Sequence, residues 1–189
     1  MMRNLPRCGL AATVAGALAF GLVGGPAASA EDAGTAGDAA TITMNFKRGK
    51  FFFSGATQVT AGADLRIRNS TNPRSGGPHT FTLVKRSLLP TTEQARARCG
   101  MFKGVCGDVA RAHQINPKTF QVGRPLFKAG KPGWNKVFTA KAAGDTWYSE
   151  TVNETFSQAV HPSAAGKSLS YMCVVHPEMQ GRIKVVAAQ

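Results

Sequence analysis

The sequence predicts an all-β fold, a sandwich or barrel of short strands, interrupted by a partly helical insertion at about 86–140. Three observations predict it. Short stretches with apolar residues at every second position recur between turn residues. Gly, Pro and Asp cluster between those stretches. Only the segment around 86–140 breaks the two-residue rhythm, and it alone carries helix-start signals.

The strands follow in order. Thr41-Ile42-Thr43-Met44-Asn45-Phe46 alternates, and Lys50 to Ser54 is an aromatic strand. Gln58-Val59-Thr60, a turn at Ala61-Gly62-Ala63-Asp64, and Leu65-Arg66-Ile67-Arg68-Asn69 read as a hairpin with one apolar face. Pro73 to Pro78 is loop, and His79-Thr80-Phe81-Thr82-Leu83-Val84 alternates again. Ser168 to Cys173 and Gly181 to Ala187 read as two strands around a short loop. Within the insertion, Thr91-Thr92-Glu93-Gln94 is a capping box before Ala95-Arg96-Ala97-Arg98. Gly107-Asp108 precedes a second helical piece, Val109 to Gln114, while 117–135 is rich in Gly, Pro and Lys and reads as loop.

The N-terminus sets the compartment. Arg3 and Arg7 are followed by an apolar run from Cys8 to Val23, then Gly24-Gly25-Pro26 and Ala28-Ser29-Ala30. A basic start, an apolar middle and a small-residue cleavage site make a secretory signal peptide over 1–30. The run is Gly/Ala-rich and shorter than the roughly 20 residues of a membrane span. No second apolar run follows, so no membrane span is expected. Residues 31–40 read as a disordered leader, and 41–189 as one domain of a secreted, periplasmic or cell-surface protein.

Charge narrows the partners. The chain carries 23 Lys and Arg against 10 Asp and Glu, a formal charge of +13. Removing 1–30 takes away Arg3 and Arg7 and no acid, leaving +11. The basic residues are spread along the chain, and no zinc-finger or RNA-binding signature accompanies them. An acidic protein partner or the cell envelope fits better than nucleic acid, and a plain solvated surface fits equally well. A monomer is expected. Asn69-Ser70-Thr71 and Asn153-Glu154-Thr155 match glycosylation sequons, a pattern too short to carry weight.

Cysteine counting points to a site. Past the signal lie Cys99, Cys106 and Cys173, an odd number in an oxidising compartment. Cys99 and Cys106 sit seven apart in a Gly-containing segment that can turn back, so they are expected to pair. Cys173 is left over. It opens Cys173-Val174-Val175-His176-Pro177-Glu178-Met179, which puts a thiol, an imidazole and a thioether in seven residues. Such donors suit copper in both oxidation states, and a His₂Cys set with a long axial Met is a blue-copper arrangement. The second histidine must come from His79, His113 or His161. His113 falls on a predicted helix and His161 in a polar loop before Pro162, whereas His79 follows Pro78 at the start of a strand. Met172 is expected to point opposite to Cys173, into core.

At this point the sequence resembles the cupredoxin family, and its small plastocyanin- and amicyanin-like members above all. The resemblance lies in Gly77-Pro78-His79 leading a strand, and in Tyr171-x-Cys173-x-x-His176-Pro177-x-Met179-x-Gly181 followed by the Ile183–Val186 strand. The short His176-to-Met179 gap is most like the amicyanin loop. The resemblance covers two blocks, 41–85 and 144–187, and leaves 86–140 as an insertion that would cover one side of the sandwich. It implies an eight-stranded Greek-key sandwich and one type 1 copper ion held by His79, Cys173, His176 and Met179. It also implies single-electron transfer between redox partners, with the Thr80 backbone N–H bonded to the Cys173 sulfur. His176 would be the solvent-facing electron port, Pro177 and Met179 part of a docking patch, and Arg182 and Lys184 basic residues that steer an acidic partner. An enzyme is not expected, since extra copper centres need clustered histidines. The alternatives are a copper carrier or store, and an envelope-binding copper protein.

Overall fold

The computed structural model describes residues 39–119, 121–123 and 133–189. The expected signal peptide at 1–30, most of the expected leader at 31–40 and much of the expected 117–135 loop lie outside them. Among the described residues nine strands form two sheets, one more strand than the resemblance implies.

The four-stranded sheet runs β2 (Lys50–Gly55), β1 (Ala40–Lys47), β4 (Asp64–Asn69) and β7 (Thr155–Ala159). The five-stranded sheet runs β3 (Gln58–Thr60), β9 (Gln180–Val186), β8 (Ser168–Met172), β5 (His79–Val84) and β6 (Thr146–Ser149). Their facing sides bury Ile42, Met44, Leu65, Ile67, Phe81, Leu83, Tyr171, Ile183 and Val185 in one core, as period-two alternation requires.

The expected hairpin of β3 with β4 does not form. β3 pairs in parallel with β9, while β4 lies in the other sheet between β1 and β7. The turn at Ala61 and Gly62 carries the chain across the sandwich, with Gly62 at φ 87° and Ala63 N–H bonded to Thr60 O at 3.0 Å. Val59, Leu65 and Ile67 all face the same core. A hairpin and a sheet-to-sheet corner therefore give the same apolar pattern. Two strands carry no clear alternation in sequence: β6, buried at every residue, and β7, at a sheet edge.

The insertion covers the outer face of the five-stranded sheet at β5 and the end of β8, while Arg182 and Lys184 on β9 stay exposed. A short helix, α1 (Pro73–Gly76), precedes β5, and two more follow it, α2 (Glu93–Gly100) and α3 (Val105–Ala112). Thr92 caps α2 by accepting from Ala95 N–H at 3.2 Å, one residue later than the Thr91-to-Gln94 capping box expected from sequence, and Ala95 has no polar side chain to bond back. Cys99 and Cys106 form a disulfide between α2 and α3. Val109, Ala110, Ile115 and Phe138 pack on Val84, Met172 and Val174 as a second core. In consequence β5 is buried on both faces along its whole length. Met172 faces this second core and Cys173 the first, as strand alternation demands. No helix among the described residues is long and apolar enough to cross a membrane.

Candidate metal centre

β5 delivers His79 at its first residue, and β8 ends one residue before Cys173. The β8–β9 loop then turns tightly. Cys173 N–H donates to Met179 O at 3.0 Å, and Met179 N–H donates to His176 O at 2.9 Å. The side chain of Gln180 donates to Pro177 O at 2.7 Å and to Pro90 O at 2.8 Å, which ties the loop to the insertion. These bonds bring His176 back over Cys173. Gly181 lies across from Tyr171 in the β8–β9 register. A Cβ there would fall 2.4 Å from the Tyr171 ring, so only glycine lets that ring fold over the strand.

Cys173 Sγ lies 3.8 Å from His79 Nδ1 and 3.9 Å from His176 Nδ1, and the two nitrogens are 3.2 Å apart. The three form a single donor cluster. Bonds of about 2.0 Å to nitrogen and 2.3 Å to sulfur, at trigonal angles, put sulfur about 3.7 Å from each nitrogen and the nitrogens about 3.5 Å apart. The spacing thus fits one ion shared by all three donors. His79 and Cys173 are fully buried and His176 is half-buried. Met179 is fully buried in the same core cluster as Cys173. Of the other histidines, His161 caps a 3-10 turn through Ser163, and His113 lies buried against Thr146.

Electrostatics suit metal ligation. Burial, reinforced by neighbouring His176, pulls His79 down from 6.5 to about 3. Burial also lowers His176, with Glu178 opposing. Both rings are therefore neutral at neutral pH, with lone pairs to offer. Burial pushes the Cys173 thiol up, while hydrogen bonds from Thr80, His176 and Val175 favour the thiolate. The Thr80 N–H donates to Cys173 Sγ at 3.3 Å, as the resemblance implied. The Thr80 hydroxyl in turn accepts from Val174 N–H at 2.9 Å. A thiolate held this way has its charge met by protein dipoles rather than water.

The surface beside His176 differs from the expectation. Pro177 and Met179 are buried and cannot form a docking patch. Phe51 instead covers His176, with ring centroids 4.0 Å apart, and Phe46 packs on Phe51 at 4.5 Å. Phe46 is 42% exposed. The β1–β2 tip beyond these rings carries exposed Lys47, Arg48 and Lys50. Sequence alone gave no signal for this cover, because Phe51 reads there as one more strand aromatic. The Asn69 sequon is closed: Asn69 is fully buried, bonded through its side chain to Ser149 and Thr71.

No family model matches the chain, and no curated protein matches it in sequence. Solved structures similar to it include a purple cupredoxin from Nitrosopumilus maritimus, at 12% identity and TM-score 0.38 over 77% of this chain and 98% of that one. Auracyanin A, a "blue" copper protein of Chloroflexus aurantiacus, is 21% identical at TM-score 0.35 over 78% and 99%. Amicyanin from Paracoccus versutus is 15% identical at TM-score 0.33 over 79% and 82%. The chain has the two-sheet β-sandwich and the buried Cys–His–His cluster that its cupredoxin resemblance implies.

Proposed function

We propose that this chain is an exported mononuclear blue-copper protein that passes single electrons between redox partners. The observation that carries the reading is the donor spacing, 3.8, 3.9 and 3.2 Å among Cys173, His79 and His176. One thiolate and two neutral imidazoles, with Met179 as a weak fourth donor, are the set that copper takes in both oxidation states. Copper bound there would supply a one-electron Cu(II)/Cu(I) couple.

The protein's own part is rigidity and access. His79 comes from the inner strand β5, Cys173 from the end of β8 and His176 from a loop closed by backbone and Gln180 bonds. Donors fixed by two buried cores have little room to rearrange when charge changes. Thr80 N–H holds the sulfur, which lowers its electron density and tunes the potential. Only His176 approaches solvent, and it does so behind Phe51 and Phe46. Electron exchange on this reading runs through that aromatic edge. The flanking Lys47, Arg48 and Lys50 favour an acidic partner, chiefly by raising its on-rate at low salt. The signal-like order of the N-terminal residues (basic, apolar, then Ala28-Ser29-Ala30) supports export, and the single three-donor cluster among the described residues supports a mononuclear centre.

Cyclic voltammetry and the electron self-exchange rate of the copper-loaded protein test the function. Reversible one-electron behaviour with fast self-exchange is expected. Ready loss of copper to a mild chelator, together with slow exchange, would instead mark a copper carrier.

A further inference from the structure

We infer that His113, which lies on the insertion, is a positioning residue for the Cys173 centre and acts through a buried chain of three threonine hydroxyls. The inference rests on the copper reading above for its functional meaning, but the chain itself is a property of the protein without metal.

His113 caps the C-terminal end of α3, its N–H bonded to Val109 O at 3.1 Å. Its Nε2 lies 2.8 Å from Thr146 Oγ1. Thr146 Oγ1 lies 2.7 Å from Thr82 Oγ1, its cross-strand neighbour in the β5–β6 register. Thr82 donates to Thr80 Oγ1 at 3.2 Å, and Thr80 accepts from Val174 N–H at 2.9 Å. His113, Thr146, Thr82 and Thr80 are all fully buried. The far end of the chain therefore reaches the two residues that flank the site, one after His79 and one after Cys173.

Counting protons fixes the direction of every bond. A hydroxyl has one proton to give. Thr82 gives its proton to Thr80, so Thr82 must accept from Thr146. Thr146 has then given its own, so it must accept from His113, which requires the proton on Nε2. All the donors run from His113 toward Thr80, and bonds aligned this way polarise one another. Thr80 receives two hydrogen bonds, from Thr82 and Val174, so its hydroxyl is locked in one orientation. The same residue supplies the N–H that holds the Cys173 sulfur. Remove the His113 donor and nothing fixes the sense of the row; Thr146 and Thr82 can turn and Thr80 loses its set orientation.

The placement has a sequence logic. Thr80 and Thr82 sit on the outer face of β5, where an alternating strand would meet water. The insertion buries that face, and buried hydroxyls need partners. His113 is the insertion's contribution that starts the row.

The test uses Thr146→Val, which keeps shape and cuts the row in the middle, with His113→Leu and His113→Gln. Val109→Ala is the control: its side chain packs in the same core and makes no bond to the row, and the substitution keeps the backbone carbonyl that accepts from His113 N–H. In the metal-free protein, Thr146→Val and His113→Leu are expected to shift the amide signals of both Thr80 and Val174 in NMR spectra. In the copper-loaded protein the same two variants are expected to lower the potential. The expected fall corresponds to about a threefold or larger rise in the oxidised-to-reduced ratio at fixed potential, where tenfold is about 59 mV. His113→Gln, which keeps a donor near Nε2, is expected to return both readouts toward wild type, and Val109→Ala to cost stability while moving neither. If His113→Leu does not fold, Thr146→Val carries the test. Unshifted amides and an unshifted potential in Thr146→Val would overturn the inference. A wild-type protein that takes no copper would defeat the copper reading, while the metal-free spectra still decide the row.

Discussion

Phe51 lies over His176, ring on ring, with centroids 4.0 Å apart. It stands between the only half-buried donor of the site and solvent. Phe51→Ala should therefore rehydrate His176. In the metal-free protein the His176 titration, followed by NMR of its ring protons, is expected to move up toward 6.5, because burial is the main cause that lowers it. Loss of the half-buried ring should cost about 1–2 kcal/mol in denaturant unfolding. An unmoved His176 titration would mean that other groups keep it dry.

The charge at the β1–β2 tip gives a kinetic prediction. Replacing Lys47 and Arg48 by Glu should slow reduction of a ferricyanide-like anionic oxidant by the copper(I) protein and flatten its salt dependence, with the potential little changed. Stopped-flow rates at several ionic strengths check it. Equal rates in variant and wild type would move the docking face elsewhere.

Acid stability follows from His79. Its folded value, about 3, lies below its unfolded 6.5, so between these pH values the unfolded chain binds more protons. Stability of the metal-free protein should be fully present above pH 6.5 and be lost as pH falls toward 3, by up to about 1.4 kcal/mol per unit. Urea midpoints across this window are expected to fall, and His79→Phe, if folded, to fall less. A flat profile would contradict a neutral buried His79.

The disulfide serves the insertion rather than the donors. Reducing Cys99–Cys106, or replacing both by Ala, should cost about 2–3 kcal/mol, the scale for closing a loop this short. The visible spectrum of the copper-loaded protein should keep its thiolate band, because the donors lie across β5 and β8 in the other core.

Much of this was readable from residues alone, for physical reasons. The odd cysteine count isolates Cys173, and strand alternation separates it from Met172. The loop ligands are close in sequence, so their spacing carries geometry. His79 needed a long-range contact, and its Pro-His-strand context supplied the hint. The β3–β4 hairpin was misread because a sheet corner and a hairpin share one alternation. The row from His113 to Thr80 was invisible, since Thr80 and Thr82 look like a solvent face until the insertion is laid over it. His113 itself reads as a rival ligand in sequence and as a buried support in the fold.

On the proposed reading Cys173 binds one copper ion as a thiolate. The most direct measurement adds copper(II) to the purified metal-free protein and records the visible spectrum. An intense thiolate-to-copper band, reaching its full height at one equivalent and absent in Cys173→Ser, is the predicted result. A colourless protein, or a band that survives Cys173→Ser, would contradict it.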